Sequence, residues 1–381
     1  MPKSSPSVSP TQVAAFRLKR HHLRDAIAAD IVTICRDLCG VQAQVMSAAY
    51  LQLWTRNHAV TRASIEDALW KSRVLVKSSF MRQTLHLIPA DEFALYTSAL
   101  RSRQLAAARR IMAHFNIGIE EGNEVAARIL DALSAGPMGR ASITASIRPR
   151  VSKRVHAWME NAWSILRVPI AEGQVCYGPG EGNQVKFIRV DHWLPKLKPV
   201  AEPKAQALLL RKYLRAYGPA TVHDFSHWAG IPMKISRDTF NGMAENLVQV
   251  EVAGESCSIF KEDYKQLASP SRARGEIKLL PLFDPYLLAH AQKHHLVETL
   301  HYKRVYRNQG WISAVLLLDG KVIGTWSYRF ERGRITISIE PFAKLNASVL
   351  KKISQEAKEL AEFFGKEMSL ELLSPSARRE S

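Results

Sequence analysis

The stretch GVQAQVMSAAYLQLWTR, residues 40–56, is the point from which the rest of the chain can be read. Upstream, Ile27, Ile31, Ile34 and Leu38 recur at helical spacing over 25–39, and Gly40 ends that helix. Downstream, Val45, Ala48, Ala49, Leu51, Trp54 and the aliphatic stem of Arg56 predict a second helix packed across the first. Gln42 and Gln44, with one alanine between them, fall at the first turn of this second helix. Two neutral amides beside the unpaired N–H groups of a helix start can form a small polar pocket, or an exposed turn with one capping amide. The residues by themselves leave both readings open.

Working outward, Thr61 or Ser64 starts a third helix with Ile65, Ala68, Leu69 and Trp70 on its apolar side. Val74 and Val76 then pair across a short basic turn with a strand through Met81, Thr84, Leu85 and Leu87. Three helices closed by a hairpin make a winged helix over 16–90, behind a disordered lead over 1–15. Its wing carries Lys77, Arg82 and His86, and the preceding helix ends at Lys71 and Arg73. These cations suit phosphate contacts, although a solvated hairpin face reads the same way. A linking helix follows over 91–115, with Arg101, Arg103, Arg109 and Arg110 along it.

The same order recurs over 116–200, where helices at 124–133, 140–147 and 151–166 precede strands at 174–177 and 185–190. The loop between them, 178–183, is glycine-rich and carries no aromatic wedge. A third copy spans 201–262: a helix to Tyr217, one over 221–229 capped by Thr221, one over 234–247, and strands at 248–252 and 256–260. Over 276–364 the texture changes to strands at 315–318, 321–330 and 334–339, with turns at Asp319-Gly320 and 331–333. The expected fold is therefore α+β: three tandem winged-helix modules followed by a small β-barrel with a C-terminal helix over 346–364. Trp311 and Trp326 belong in the barrel core. Asp284 and Tyr286, in FDPYLL, read either as a buried turn carboxylate beside an aromatic or as groups facing a ligand.

The 381 residues are 46% apolar and 23% charged, as in a folded globular protein. Against 35 Asp+Glu stand 53 Lys+Arg, a formal charge of +18. This excess favours a polyanion, and nucleic acid before membrane, because there is no apolar run of bilayer length and no sharply amphipathic basic helix. Cys35, Cys39, Cys176 and Cys257 are too scattered for a disulfide framework. Cys35 and Cys39 could be half a metal site, but no matching pair follows, and they read as buried thiols. The opening MPKSSPSVSP lacks an apolar core, so a cytoplasmic location is expected. No phosphate cradle, HExxH pattern or assignable Ser-His-Asp set is present. Residue patterning thus leads to a multi-winged nucleic-acid-binding protein and is silent on catalysis.

The run from Gln42 to Phe93, QAQVMSAAYLQLWTRNHAVTRASIEDALWKSRVLVKSSFMRQTLHLIPADEF, resembles the opening module of the AlkZ/YcaQ-like DNA glycosylases. LLPLFDPYLL at 279–288 and DGKVIGTW at 319–326 look like the family's two carboxyl-terminal signatures, and the likeness runs from about Phe16 to Phe342, loosest in its middle third. The resemblance implies tandem winged helices and a β-barrel around a concave DNA-binding surface. It also implies excision of N7-alkylated guanines, including those in interstrand crosslinks. The family's catalytic motif, a glutamine, an apolar residue and then aspartate or glutamine, falls on Gln42, Ala43 and Gln44. The chain is thereby similar to the double-glutamine branch associated with crosslinks, with a middle residue smaller than usual. Gln42 and Gln44 are the expected catalytic residues, and Lys71, Arg73, Lys77, Arg82, His86, Arg109 and Arg110 the expected DNA contacts. No metal, no cofactor and no AP-lyase activity are expected. The expected partner is double-stranded DNA carrying alkylated purines, bound by a monomer associated with a bacterial nucleoid. The competing readings are a non-catalytic winged-helix regulator or architectural protein and, more distantly, a small-molecule enzyme with a deep pocket in the barrel.

Overall fold

The computed structural model describes residues 5–24, 29–161, 164–180, 184–269 and 274–374. The chain divides into two compact units, one made of Met1–Ile65, Lys212–Trp228 and Met243–Ser381, the other of Glu66–Arg211 and Ala229–Gly242.

In the first unit the amino-terminal lead is not the disordered segment expected over 1–15. Residues 1–4 lie outside the described residues, but Pro10–Arg20 is a helix, and Ser9 and Gln12 cap it reciprocally. Val8, Val13 and Phe16 are buried against Val250, Cys257, Ile259 and Leu267, which supplies the apolar burial that ordering this segment requires. The helix expected over 25–39 is described as Ile31–Asp37, with Asp30 accepting hydrogen bonds from the N–H groups of Val32 and Thr33 at 2.8 and 2.9 Å. Its earlier part, 25–28, lies outside the described residues. Met46–Trp54 follows, then the helix Arg62–Trp70, which belongs to this unit only as far as Ile65 and at whose start Thr61 and Ser64 exchange hydrogen bonds of 3.1 Å.

The carboxyl-terminal β-barrel expected over 276–364 does not form. Five strands make an open sheet in the order Glu367–Leu372, Arg334–Pro341, Lys321–Glu331, Val315–Leu318, Ile277–Leu280, and the first and last stand at opposite edges. Ile353, Ala357 and Leu360 of the helix Ala347–Phe363 share one buried core with Ile335, Ile337 and Ile339 of the sheet. The apolar face that a barrel would turn inward is thus covered by a helix, and after it the chain returns to pair in parallel with Arg334–Pro341. Trp326 is core, its indole N–H donating to Leu280 O at 2.8 Å, whereas Trp311 is 42% exposed and only edges against Phe283.

The second unit contains the antiparallel hairpin Leu75–Ser79 and Leu85–Pro89, the long helix Phe93–His114, then Ile119–Ala132, Arg140–Ile147, Lys153–Glu160 and Arg167–Ala171. The helix predicted over 151–166 is therefore shorter, with 162–163 outside the described residues. A second hairpin, Val175–Gly178 and Lys186–Arg189, gains Met138–Gly139 as a third strand. Val125, Ile129, Ile143, Ile147, Val155, Trp158 and Phe187 form the core beneath it. Of the glycine-rich loop 178–183, the last three residues lie outside the described ones. Further along the chain come the helices Glu202–Tyr217, Val222–Ala229 and Met233–Asn241 and the hairpin Leu247–Val252 with Glu255–Phe260. An order of three helices and then a hairpin thus recurs along the sequence.

Candidate active site

The helix Ile31–Asp37 ends with Cys39 at φ 56° and Gly40 at φ 97°, the left-handed region that favours glycine. This reversal delivers the chain into a short strand, Val41–Gln42, and the helix Met46–Trp54 begins only four residues after Gln42. Gln42 and Gln44 therefore precede the helix and do not lie in its first turn. The strand ends at Gln42 and the chain bends at Gln44, so the two glutamines differ: Gln42 is 5% exposed and Ala43 is fully buried, while Gln44 is exposed. Among the described residues, no side chain at Val45 caps the following helix.

The glutamine segment is held from behind by polar residues that patterning does not single out. Gln52, fully buried, donates from Nε2 to Gln42 O at 3.2 Å and to Leu282 O at 3.1 Å. One turn later, Arg56 donates to Gln52 O at 2.7 Å and grips both oxygens of Asp284 at 2.9 and 2.8 Å. Asp284 also accepts from the N–H of Tyr286 at 3.0 Å. FDPYLL is thus structural: its carboxylate neutralises a buried guanidinium that in turn braces the glutamine strand. The signal for this is present in LQLWTR, where Gln52 interrupts the apolar side of the helix and Arg56 follows four residues later, just past the helix end. Their partner is not readable locally, because Asp284 lies 228 residues away.

Gln42 and Gln44 belong to the first unit and Lys71, Arg73, Lys77, Arg82, His86, Arg109 and Arg110 to the second. Lys71, Arg109 and Arg110 are exposed. Arg73 is exposed too, with its guanidinium 4.1 Å above the Trp193 ring. Lys77 is half-buried, 5.5 Å from the Tyr177 ring, and burial lowers its pKa to about 8. His86 is buried opposite Ser78, its Nδ1 3.0 Å from Thr84 O; burial and then the Arg82 charge lower its pKa to about 3, so it is neutral. Arg82 stands at φ 53° in the turn, where its backbone meets Gly230 closely, and the neighbouring Gln83 accepts from Arg167 at 2.9 Å. The wing is therefore a docked hairpin, not a solvated one.

A cavity of about 690 Å³ lies in the second unit, lined by Phe93, Thr97, Gly173, Arg189, Leu194 and Pro199 among others. None of the expected site residues lines it, nor does any residue of the five-stranded sheet. His58, Glu356 and Glu359 come together in the first unit, a grouping that local spacing could not reveal. No helix among the described residues is long and apolar enough to cross a membrane.

The interstrand DNA cross-link repair glycosylase of Streptomyces sahachiroi is 28% identical to this chain over 362 residues, covering 93% of this chain and 96% of the relative. The solved structure of the Streptomyces sahachiroi DNA glycosylase AlkZ matches with a TM-score of 0.84 and 26% identity, covering 96% of this chain and 100% of that one. The family described as DNA glycosylase AlkZ-like matches residues 35–363, most of the chain, and the protein is a member of that DNA glycosylase family.

Proposed function

We propose that the protein hydrolyses the N-glycosidic bond of N7-alkylated guanines in double-stranded DNA, including guanines tied into interstrand crosslinks, and leaves the backbone uncut. The observation that carries this reading is the similarity, over nearly the whole of both chains, to a crosslink-repair glycosylase. The exposed Gln44 beside the braced Gln42 supports it.

The chemistry asks little of the protein. Alkylation at N7 gives the guanine ring a positive charge, so the C1′–N9 electron pair leaves to neutralise it without a proton donor. Water then bonds to C1′ and releases its proton to solvent, giving an abasic sugar. Gln42 and Gln44 orient that water through their amide oxygens and face the developing oxocarbenium ion with carbonyl dipoles. Neither amide is a strong general base. With no lysine assigned to attack C1′, no Schiff base forms and no strand cleavage follows. A crosslinked base cannot swing fully into a closed pocket, which an exposed Gln44 suits.

The test is to incubate the purified protein with a duplex carrying N7-methylguanine or a nitrogen-mustard crosslink, with and without subsequent hot alkali. Strand breaks that appear only after alkali are expected. Breaks without alkali overturn the uncut-backbone assignment. Binding without base release on every N7-alkylated substrate would make the protein a regulator or architectural factor.

A further inference from the structure

We propose that His58, Glu356 and Glu359 form a site for one divalent transition-metal ion, zinc by the chemistry of its donors. Glu356 and Glu359 lie three apart on the helix Ala347–Phe363 and so share a face, and one ligand atom from each of the three residues lies within 4.8 Å of the others. His58 follows the helix Met46–Trp54, and its ring stacks on Trp54 with centroids 4.6 Å apart and planes 10° from parallel. This stacking fixes the imidazole before any ion arrives. Its Nδ1 is 2.8 Å from Glu359 Oε2.

Geometry alone would be satisfied by an ion pair; Glu356 adds an independent observation. It is 9% exposed, and although Oε1 accepts from Lys278, its Oε2 is buried and accepts no hydrogen bond among the described residues. A buried carboxylate oxygen without a donor is destabilising, and a cation at Oε2 satisfies it while leaving the Lys278 bond in place. Bond lengths of ~2.0–2.2 Å place tetrahedral donors about 3.4 Å apart, which small side-chain rotations reach from the present spacing. Two carboxylates and an imidazole select zinc over magnesium or calcium, which prefer oxygen alone. His58 and Glu359 are partly exposed, so an ion can enter and a water can complete its coordination. Bound zinc would tie the segment after Met46–Trp54 to the helix that covers the five-stranded sheet. Its effect falls on stability and not on glycosidic-bond chemistry.

The test uses the full chain, stripped by chelator and dialysed, titrated with zinc chloride by calorimetry and followed by thermal unfolding. Cobalt(II) serves as a spectroscopic probe through its visible absorption. One ion per chain is expected, with a rise of several degrees in unfolding temperature when zinc exceeds its dissociation constant about 100-fold. His58→Ala should weaken binding at least ~10-fold and remove the cobalt band. Glu359→Gln, which keeps the shape of the exposed helix surface, should do the same if the first variant folds poorly. Undiminished binding in both variants would assign the ion to other donors such as the cysteines. That result, or no stoichiometric binding by the wild type, overturns the proposal.

Discussion

At the scale of single residues, the two glutamines are not equivalent, and their substitutions should separate. Gln44 is exposed, so on the proposed mechanism Gln44→Ala removes a polar partner of the reacting water without opening a cavity in the core. Single-turnover base excision should fall about 10²-fold while duplex affinity, read by fluorescence anisotropy, stays put. Gln44→Asp restores the family's other motif and should retain or raise activity on N7-methylguanine, since a carboxylate attracts the oxocarbenium ion more strongly. Unchanged excision by the Gln42→Ala, Gln44→Ala double variant would reject the assignment. A second prediction concerns Asp284→Asn, which leaves the Arg56 guanidinium buried without its counter-charge. Such a loss costs about 3–5 kcal/mol, measurable as a lower urea midpoint, and combining Arg56→Met with Asp284→Leu should recover much of it. The identities at 42 and 44 are legible in the sequence. Their unequal burial is not, because it depends on the strand ending at Gln42 and the chain bending at Gln44, a break that no local pattern marks.

At the scale of elements, the wing shows where patterning stops. Alternation locates both strands of the hairpin, but docking of its turn depends on Gly230 and Arg167, which no local signal connects to it. The expected phosphate-binding cations therefore divide. Neutralising exposed Lys71, Arg109 and Arg110 together should lower DNA affinity and reduce its salt dependence by roughly one unit of slope for each phosphate no longer neutralised. Equal slopes for wild type and variant would exclude these residues from the interface. Lys77 instead carries a burial penalty on its charge. Below pH 8 both folded and unfolded chains hold its proton; between about 8 and 10.5 only the unfolded chain does, so stability rises with pH across that window. Lys77→Met should be more stable than wild type at pH 7, and the gap should close by about pH 10 in paired urea titrations.

At the scale of the whole molecule, three strands and a helix are readable near the carboxyl end, but they do not close on themselves, and a returning strand completes the sheet instead. EMSLEL is short and half-polar, and its register comes from pairing with Arg334–Pro341. Deleting residues from 367 onward should uncover that strand's edge and produce concentration-dependent association, seen as a shift in light scattering. The first unit draws its chain from three separate stretches, and the amino-terminal helix docks through Arg17, which donates to the carbonyls of Tyr217 and Pro219 at 3.0 and 2.8 Å. During synthesis at roughly 5–20 residues per second, that helix waits ~10–40 s for its partners to leave the ribosome. Its apolar face, Val13 and Phe16, stays uncovered for longer still, because Val250, Cys257, Ile259 and Leu267 emerge later, whereas the second unit, nearly continuous in sequence, can collapse before translation ends.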